Sequence, residues 1–493
     1  MPFLIEHITE VVLTIVVMVL LGTGALVAMA IGRRQRRERY FERLDDLRQR
    51  YRPVVAALLG KKIDYEKGLE ALKGISGLDR LYFLEQLLLE KQPNAAQIPV
   101  ARQLAEDLGL VKIWQSHLSG KFDVATLRDA LARPEGLLQR VGRLNFILKA
   151  KSAENLGDIR HQPSWPLLAK ALNDPHPDVQ SVAARALAAI GEPESFVPLL
   201  ERIKEIVLQP TNKISLRSVK SALVGFPLSE AHRLLPAMKH EHPRVRFLAV
   251  DILREMVEHE AALNEDFVLD ASMFGAEVGE LLLTQSCFDD NGDVRARSAP
   301  IISYLVDVRA TPVLLTLLED PQWFVRLHSV RALAKRKFLS QAEQVAQRLT
   351  DAHWLVRQAA AQTLLVFGHA GVDTLADHML QTQDRYSREQ IADEMQRSGL
   401  IPTLVAQYGT STENREALVF AQLAEMGKTS YLLATLLTSS DKSLRRKFLA
   451  DFGSHPDPKI RTWVKRVATV EPDTEIRKLA ITMIGKSLDE TEA

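Results

Sequence analysis

Asp320-Pro321-Gln322-Trp323-Phe324-Val325-Arg326 and Asp351-Ala352-His353-Trp354-Leu355-Val356-Arg357 are one phrase written twice, about 31 residues apart. After each Val-Arg the text continues in step. A small residue stands four positions past the valine (Ser329, Ala360) and a leucine eight past it (Leu333, Leu364). Two antiparallel helices approach closely only where one of them carries a minimal side chain, and larger apolar residues on the same stripe fill the space beside it. The phrase therefore predicts a helical hairpin that is stacked on copies of itself.

Moved along the chain, the template recurs with decay at Val179-Gln180, Leu216-Arg217, Val245-Arg246, Val294-Arg295, Leu444-Arg445, Ile460-Arg461 and Ile476-Arg477. Ala183, Ala249, Ser298 and Ala480 keep the small position. Asp174-Pro175-His176-Pro177-Asp178-Val179, leading into Ala183-Ala184-Arg185-Ala186-Leu187-Ala188-Ala189-Ile190-Gly191, carries the pattern most fully. These stretches resemble the HEAT repeat in its short, phycobilisome-lyase-type form, over roughly Asp123 to Ser487. The resemblance implies an all-α solenoid of stacked helical hairpins and says little about function.

A chain of 493 residues ordinarily suggests about three compact domains, but a solenoid adds length without a new core. The net charge is +1 with both signs evenly mixed, which gives no global case for a nucleic-acid partner. Cys287 is the only cysteine, so an internal disulfide and any Cys-rich zinc site are excluded.

Val11 to Ile31 is an unbroken run without a charge and is long enough to cross a hydrocarbon core as a helix. Upstream lie Glu6, His7 and Glu10; immediately downstream stand Arg33, Arg34, Arg36, Arg37 and Arg39. The positive-inside rule then places everything after the span in the cytoplasm. The rival reading is a cleaved signal at Ala28-Met29-Ala30, which would leave a periplasmic binding module. A signal peptide, however, carries its positive charge before the apolar core. Gly24, Ala28 and Gly32 form a small-xxx-small line through which two such helices could pair as a homodimer.

The expected order is a short non-cytoplasmic N-terminus (1–10), a transmembrane helix (11–32), a charged juxtamembrane helix (33–60), a divergent helical cap (61–120), the solenoid (121–487) and an acidic tail (488–493). The first repeat is expected near Pro134. Gly157 and Gly191 are both read as glycines that end a helix with positive φ. Residues 258–285 and 381–412 fit the template worst and are read either as divergent repeats or as insertions with a protruding loop.

A search for catalytic groupings finds no Gly-rich phosphate loop, no nucleophile elbow and no Cys/His pairing at a family spacing. Deoxyhypusine hydroxylase, whose paired His-Glu motifs hold two irons, prompts attention to His240-Glu241-His242 and His259-Glu260. These fall at different places in their repeat and do not form a matched metal site. HEAT-like bilin lyases and DNA glycosylases are the other enzymatic relatives in architecture. The expectation is a protein that is not an enzyme and takes no metal, cofactor, small-molecule substrate or nucleic acid, with a HEAT-repeat enzyme or enzyme subunit as the alternative.

The repeated arginines are the most conspicuous polar feature. In one reading Asp320 and Asp351 cap their helices and accept from Arg246, Arg326, Arg357 or Arg477 of their own or a neighbouring repeat, as an internal ladder. In the other, Arg295, Arg326 and Arg357 line a surface that receives an acidic partner, beside Trp323 and Trp354 stacked one repeat apart. The resulting expectation is a scaffold anchored in the cytoplasmic membrane that presents its solenoid to a protein partner.

Overall fold

In the computed structural model the backbone is described for residues 2–75, 80–89, 92–121, 137–209, 215–335, 339–410 and 414–489. Within these ranges the side chains of residues 2–11, 33, 36, 37, 40, 81, 82, 137–144 and 486–489 are not described. The expected repeat start near Pro134, the side chains of Arg33, Arg36 and Arg37, and the tail at 490–493 therefore lie outside the described residues. The described elements are helical, with one isolated parallel bridge between Leu269 and Leu305. The fold is an all-α solenoid of stacked helical hairpins, and the chain divides into two compact units, Met1–Ala237 and Met238–Ala493.

The first unit opens with one helix, Pro2–Leu59, which merges the expected span and juxtamembrane segment and continues through Pro53. Its stretch Val12–Gly32 is apolar and uncovered, whereas Leu44, Val55 and Leu58 further on are buried. The helices Tyr65–Lys73 and Arg80–Leu89 pack on this C-terminal half, and Ile98–Asp107 and Leu110–Leu118 follow as a pair. Leu137–Asp158, Pro177–Ile190 and Leu216–Val224 then lie side by side as one row. Trp165–Ala171 and Phe196–Leu208 supply the second layer.

Two glycines in this row differ in their reasons. Gly191 ends its helix at φ +68, a conformation in which a Cβ is strained, as expected. Gly157 stands in the last turn of Leu137–Asp158 but without positive φ, which falls at Arg160 instead. A Cβ on Gly157 would stand 2.8 Å from Ala186 Cα and 2.9 Å from its Cβ, so this glycine lets two helices approach.

In the second unit Pro243–Leu263, Gly292–Ile302, Trp323–Lys335, Trp354–Val366 and Arg385–Arg397 form the row. Ala276–Thr284, Ala310–Leu318, Ala342–Ala346 and His369–Gln381 pack behind them. The small positions are where the helices meet: Ala183, Ala249, Ser298, Ser329, Ala360 and Ala480 are all at most 1 % exposed. Ser329 reconciles its hydroxyl with that burial by donating to the Leu314 carbonyl at 2.6 Å. Around them Val325, Leu333, Val356 and Leu364 are fully buried, each contributing about 1.5–3 kcal/mol of apolar burial.

The two irregular stretches resolve differently. Pro243–Leu263 is a 21-residue helix, after which Leu269 donates to the Tyr304 carbonyl at 2.8 Å and Val306 to Leu269 at 3.0 Å. That pairing ties the connection to the next hairpin. Residues 385–410 form an ordinary helix pair, Arg385–Arg397 and Leu400–Thr410, with no protruding loop among the described residues.

Candidate docking site on the repeat turns

Each arginine of the second unit's ladder is placed by its valine. The buried Val245, Val294 and Val325 anchor the first turn of their helices, and the next residue then emerges beside the inter-helix turn. There the guanidinium joins two turns. Through Nη1 it donates to carbonyls of its own turn: Arg326 to Asp320 at 2.8 Å, Arg295 to Asp289 at 2.6 Å and Arg246 to Glu241 at 2.7 Å.

Through Nε and Nη2 it forks onto the carboxylate of the following turn. The distances are 2.6 and 2.8 Å for Arg246 on Asp289, 2.6 and 2.9 Å for Arg295 on Asp320, and 2.7 and 2.7 Å for Arg326 on Asp351. Each aspartate also accepts the N–H two residues on, from Asn291, Gln322 and His353 at 2.8–2.9 Å. Burial would raise the Asp351 carboxyl, but the Arg326 hydrogen bonds, the His353 N–H and the charges of Arg326 and Arg348 outweigh it and hold it below the usual range. A bidentate pair of this kind fixes orientation as well as supplying energy.

The same device is built with other residues in the first unit. Lys149 donates to Asp174 at 2.7 Å across the same 25-residue step, and Asp174 accepts the His176 N–H at 3.0 Å. At the arginine position of the next repeat, Gln180 takes the Asp174 carbonyl and receives Arg202 at 3.1 Å. Near the C-terminus Arg445 forks onto Glu471 at 2.9 and 3.0 Å. Arg217, Arg461 and Arg477 form no such rung among the described residues.

Trp323 and Trp354 do not stack on each other, because His353 stands between them. The Trp323 and His353 rings are 3.8 Å apart and within 5° of parallel. His353 is the N-cap of its helix; its Nδ1 accepts the Leu355 N–H at 3.3 Å, which fixes the ring plane. Phe146 on His176 repeats the arrangement at 3.8 Å and 6°. Sequence reading missed both histidines, Phe146 and Lys149. The signal was available as a spacing: an aromatic three residues before the cation goes with a histidine two residues after the acceptor aspartate. Where the aromatic is absent (Pro243, Gly292), the corresponding residue is Asn291 or Gln322.

Arg326, expected both as a rung and as a partner contact, and Arg295, expected as a partner contact, have their carboxylate forks filled from within the chain, and Trp323 is half-covered. Arg357 and Trp354 differ from both. Arg357 donates to the Asp351 carbonyl at 2.8 Å, but its buried Nε has no partner and no carboxylate reaches it among the described residues. Trp354 is 54 % exposed. The next turn does contain Asp384, whose two oxygens cap its own helix through the Tyr386 and Ser387 N–H groups at 3.1 and 3.3 Å.

The remaining candidates are isolated. His240 Nδ1 accepts the His242 N–H at 3.0 Å, and no group of three His, Cys, Asp or Glu side chains with metal-site geometry occurs among the described residues. Cys287 is fully buried, and burial pushes its thiol up to about 12, far from nucleophilic use. Arg34 pairs with Glu38 at 2.8 Å on the exposed surface beyond the apolar stretch.

Residues 134–207 and 280–365 match the family model for HEAT repeats. Those two stretches carry HEAT repeats. No curated protein matches it. Among solved structures, an engineered protein is similar at 16 % identity over 87 % of this chain and 99 % of that one, with a TM-score of 0.28. Kap121p bound to RanGTP is similar at 13 % identity over 88 % of this chain and 56 % of its own, with a TM-score of 0.38. Human deoxyhypusine hydroxylase in complex with glycerol is similar at 16 % identity over 71 % of this chain and 95 % of its own, at 0.22. Likenesses at these scores transfer no property from those proteins to this HEAT-repeat chain.

Proposed function

We propose that this protein is a membrane-anchored scaffold whose HEAT repeats, of the short lyase-like form, hold a protein partner at the cytoplasmic face of the inner membrane. The observation that carries the reading is the continuity of one helix. Its apolar stretch Val12–Gly32 is long enough to span a bilayer and is uncovered, while its C-terminal half is buried against the first helices of the unit. The arginines that follow the stretch favour a cytoplasmic solenoid. Tethering confines the repeat surface near membrane partners and raises their effective concentration without any new contact. No catalytic role enters the proposal.

Two measurements test it on the intact chain. A reporter fused after Ala493 should be active in the cytoplasm and silent in the periplasm; a periplasmic signal reverses the topology. Crosslinking in native membranes followed by recovery of the tagged chain should yield one reproducible protein partner. Recovery of the chain alone, from membranes where it is abundant, would remove the scaffold reading.

A further inference from the structure

The chain itself shows what its turns bind. In two separate places an aromatic ring and, three residues later, a cation are met by an aspartate and, two residues later, a histidine. Phe146 and Lys149 receive His176 and Asp174; Trp323 and Arg326 receive His353 and Asp351. In both, the ring-to-ring distance is 3.8 Å and the ion pair is 2.7 Å. The pairing is therefore a module that recurs with different side chains, because the backbone turn fixes the offset between the two groups.

Trp354 and Arg357 are a third copy of the receiving half. Arg357 is held in the same pose by its own turn, with donors to the carbonyls of Asp351 at 2.8 Å and Ala352 at 3.4 Å. No carboxylate reaches its guanidinium among the described residues, and the Trp354 ring is exposed. The residues that would answer from the next turn, Asp384 and Tyr386, stand two positions later than the module requires, at steps of 27 and 32 instead of 25 and 30. Asp384 is committed to capping its own helix, and Tyr386 is 69 % exposed without a ring contact to Trp354 among the described residues.

We propose that Trp354 and Arg357 form a docking site for a partner segment carrying an aspartate and, two residues later, a histidine or another flat ring. The partner's carboxylate pairs with the guanidinium of Arg357, and its ring lies on Trp354 as His353 lies on Trp323. Charge complementarity selects the segment: a guanidinium that no carboxylate of the chain reaches among the described residues calls for one from outside, and an exposed indole beside it gains most from a flat ring that sheds water with it. This inference rests on the reading of the protein as a scaffold for a protein partner and names the chemistry of that partner.

The probe is a fluorescein-labelled peptide copying Leu172 to Val179, which presents Asp174 and His176 in the required order. Its binding to the full-length protein in nanodiscs is followed by anisotropy. Saturable binding is expected, weakened about tenfold by Arg357→Gln and by an Asp-to-Asn change in the peptide, and several-fold by Trp354→Ala. Trp354 is exposed, so that variant keeps the test readable if Arg357→Gln unfolds. No saturable binding up to about 1 mM, binding indifferent to these changes, or binding that emerges only after Asp384→Asn frees the site would each overturn the proposal. In membranes, equal recovery of the partner by wild type and by the Trp354→Ala, Arg357→Gln double variant would remove the site but leave the scaffold; no recovery by wild type would remove the scaffold itself.

Discussion

The turns around His176 and around His353 solve one problem with different side chains. Around His353 a guanidinium fork at 2.7 and 2.7 Å covers both oxygens of Asp351. Around His176 an ammonium at 2.7 Å covers one oxygen of Asp174, and the other accepts the His176 N–H. Both close over a parallel ring and histidine. What the two turns share is a step of 25 residues between cation and carboxylate. The repeat is thus a geometry before it is a motif, and any cation that reaches across the turn serves. They differ in rigidity, since a planar fork fixes direction and a point charge on a flexible stem does not.

Breaking the stronger turn should have the largest effect. Arg326→Gln leaves Asp351, 8 % exposed, without the guanidinium that covers both its oxygens, and the loss of a buried partner of this kind costs about 3 to 4 kcal/mol. Hydrogen exchange on the intact chain should show lost protection in both flanking helices, Trp323–Lys335 and Trp354–Val366. Unchanged protection there would mean that the fork contributes no stability.

Acid should separate the two units by a somewhat smaller amount. Burial, followed by the charges of Arg297, Arg331 and Arg254, pushes His328 down to about 4 from its ordinary 6.5. The unfolded chain therefore binds the extra proton first. The stability His328 contributes is full above pH 6.5 and is lost as pH falls to 4, up to about 3 kcal/mol. Below pH 4 the depressed Asp351 carboxyl removes more as it protonates.

In the first unit His161 is also lowered, by burial, so part of the same loss occurs there. Asp158 works the other way: burial and then Glu154 raise its carboxyl, so acid relieves a cost. Exchange protection in Met238–Ala493 should therefore fall before that in Met1–Ala237 between pH 6.5 and 4. His328→Gln should flatten the slope of the second unit. The reverse order of loss would show that other groups control the acid response.

The smallest effect sharpens the comparison instead of breaking it. Lys149→Arg offers the first unit the fork it lacks, and protection of Pro177–Ile190 should rise by less than about 1 kcal/mol. A loss of protection would show that the turn at Asp174 is shaped for a single donor and that the two turns are not interchangeable.

Much of this was legible without coordinates. The small residue four past the valine marked the closest helix contacts, because a space that admits only a methyl or hydroxymethyl group leaves a compositional trace. The apolar run after Val11 was legible as one uncovered helix, because an unbroken stretch of that length without a charge has a helical length that can cross a bilayer. Gly157 was misread because a glycine required by a crossing helix and one required by positive φ look identical in one dimension. Phe146, Lys149 and His176 were missed because their partners lie 25 to 30 residues away and share no letters with Trp323, Arg326 and His353, apart from the histidine.

The sequence by itself determined the period, the helical hairpins, the buried stripe and the presence of arginines beside aspartates, all of which depend on local spacing. Only the tertiary structure decided which arginines are spent. Arg295, Arg326 and Arg357 read alike in the chain, but a fork closes only where the next turn brings its carboxylate within reach. Asp320 and Asp351 are within reach, and Asp384, which caps its own helix, makes no bond to Arg357. That difference lies in the path of the backbone between repeats, which leaves Arg357 without a carboxylate among the described residues, beside an exposed Trp354.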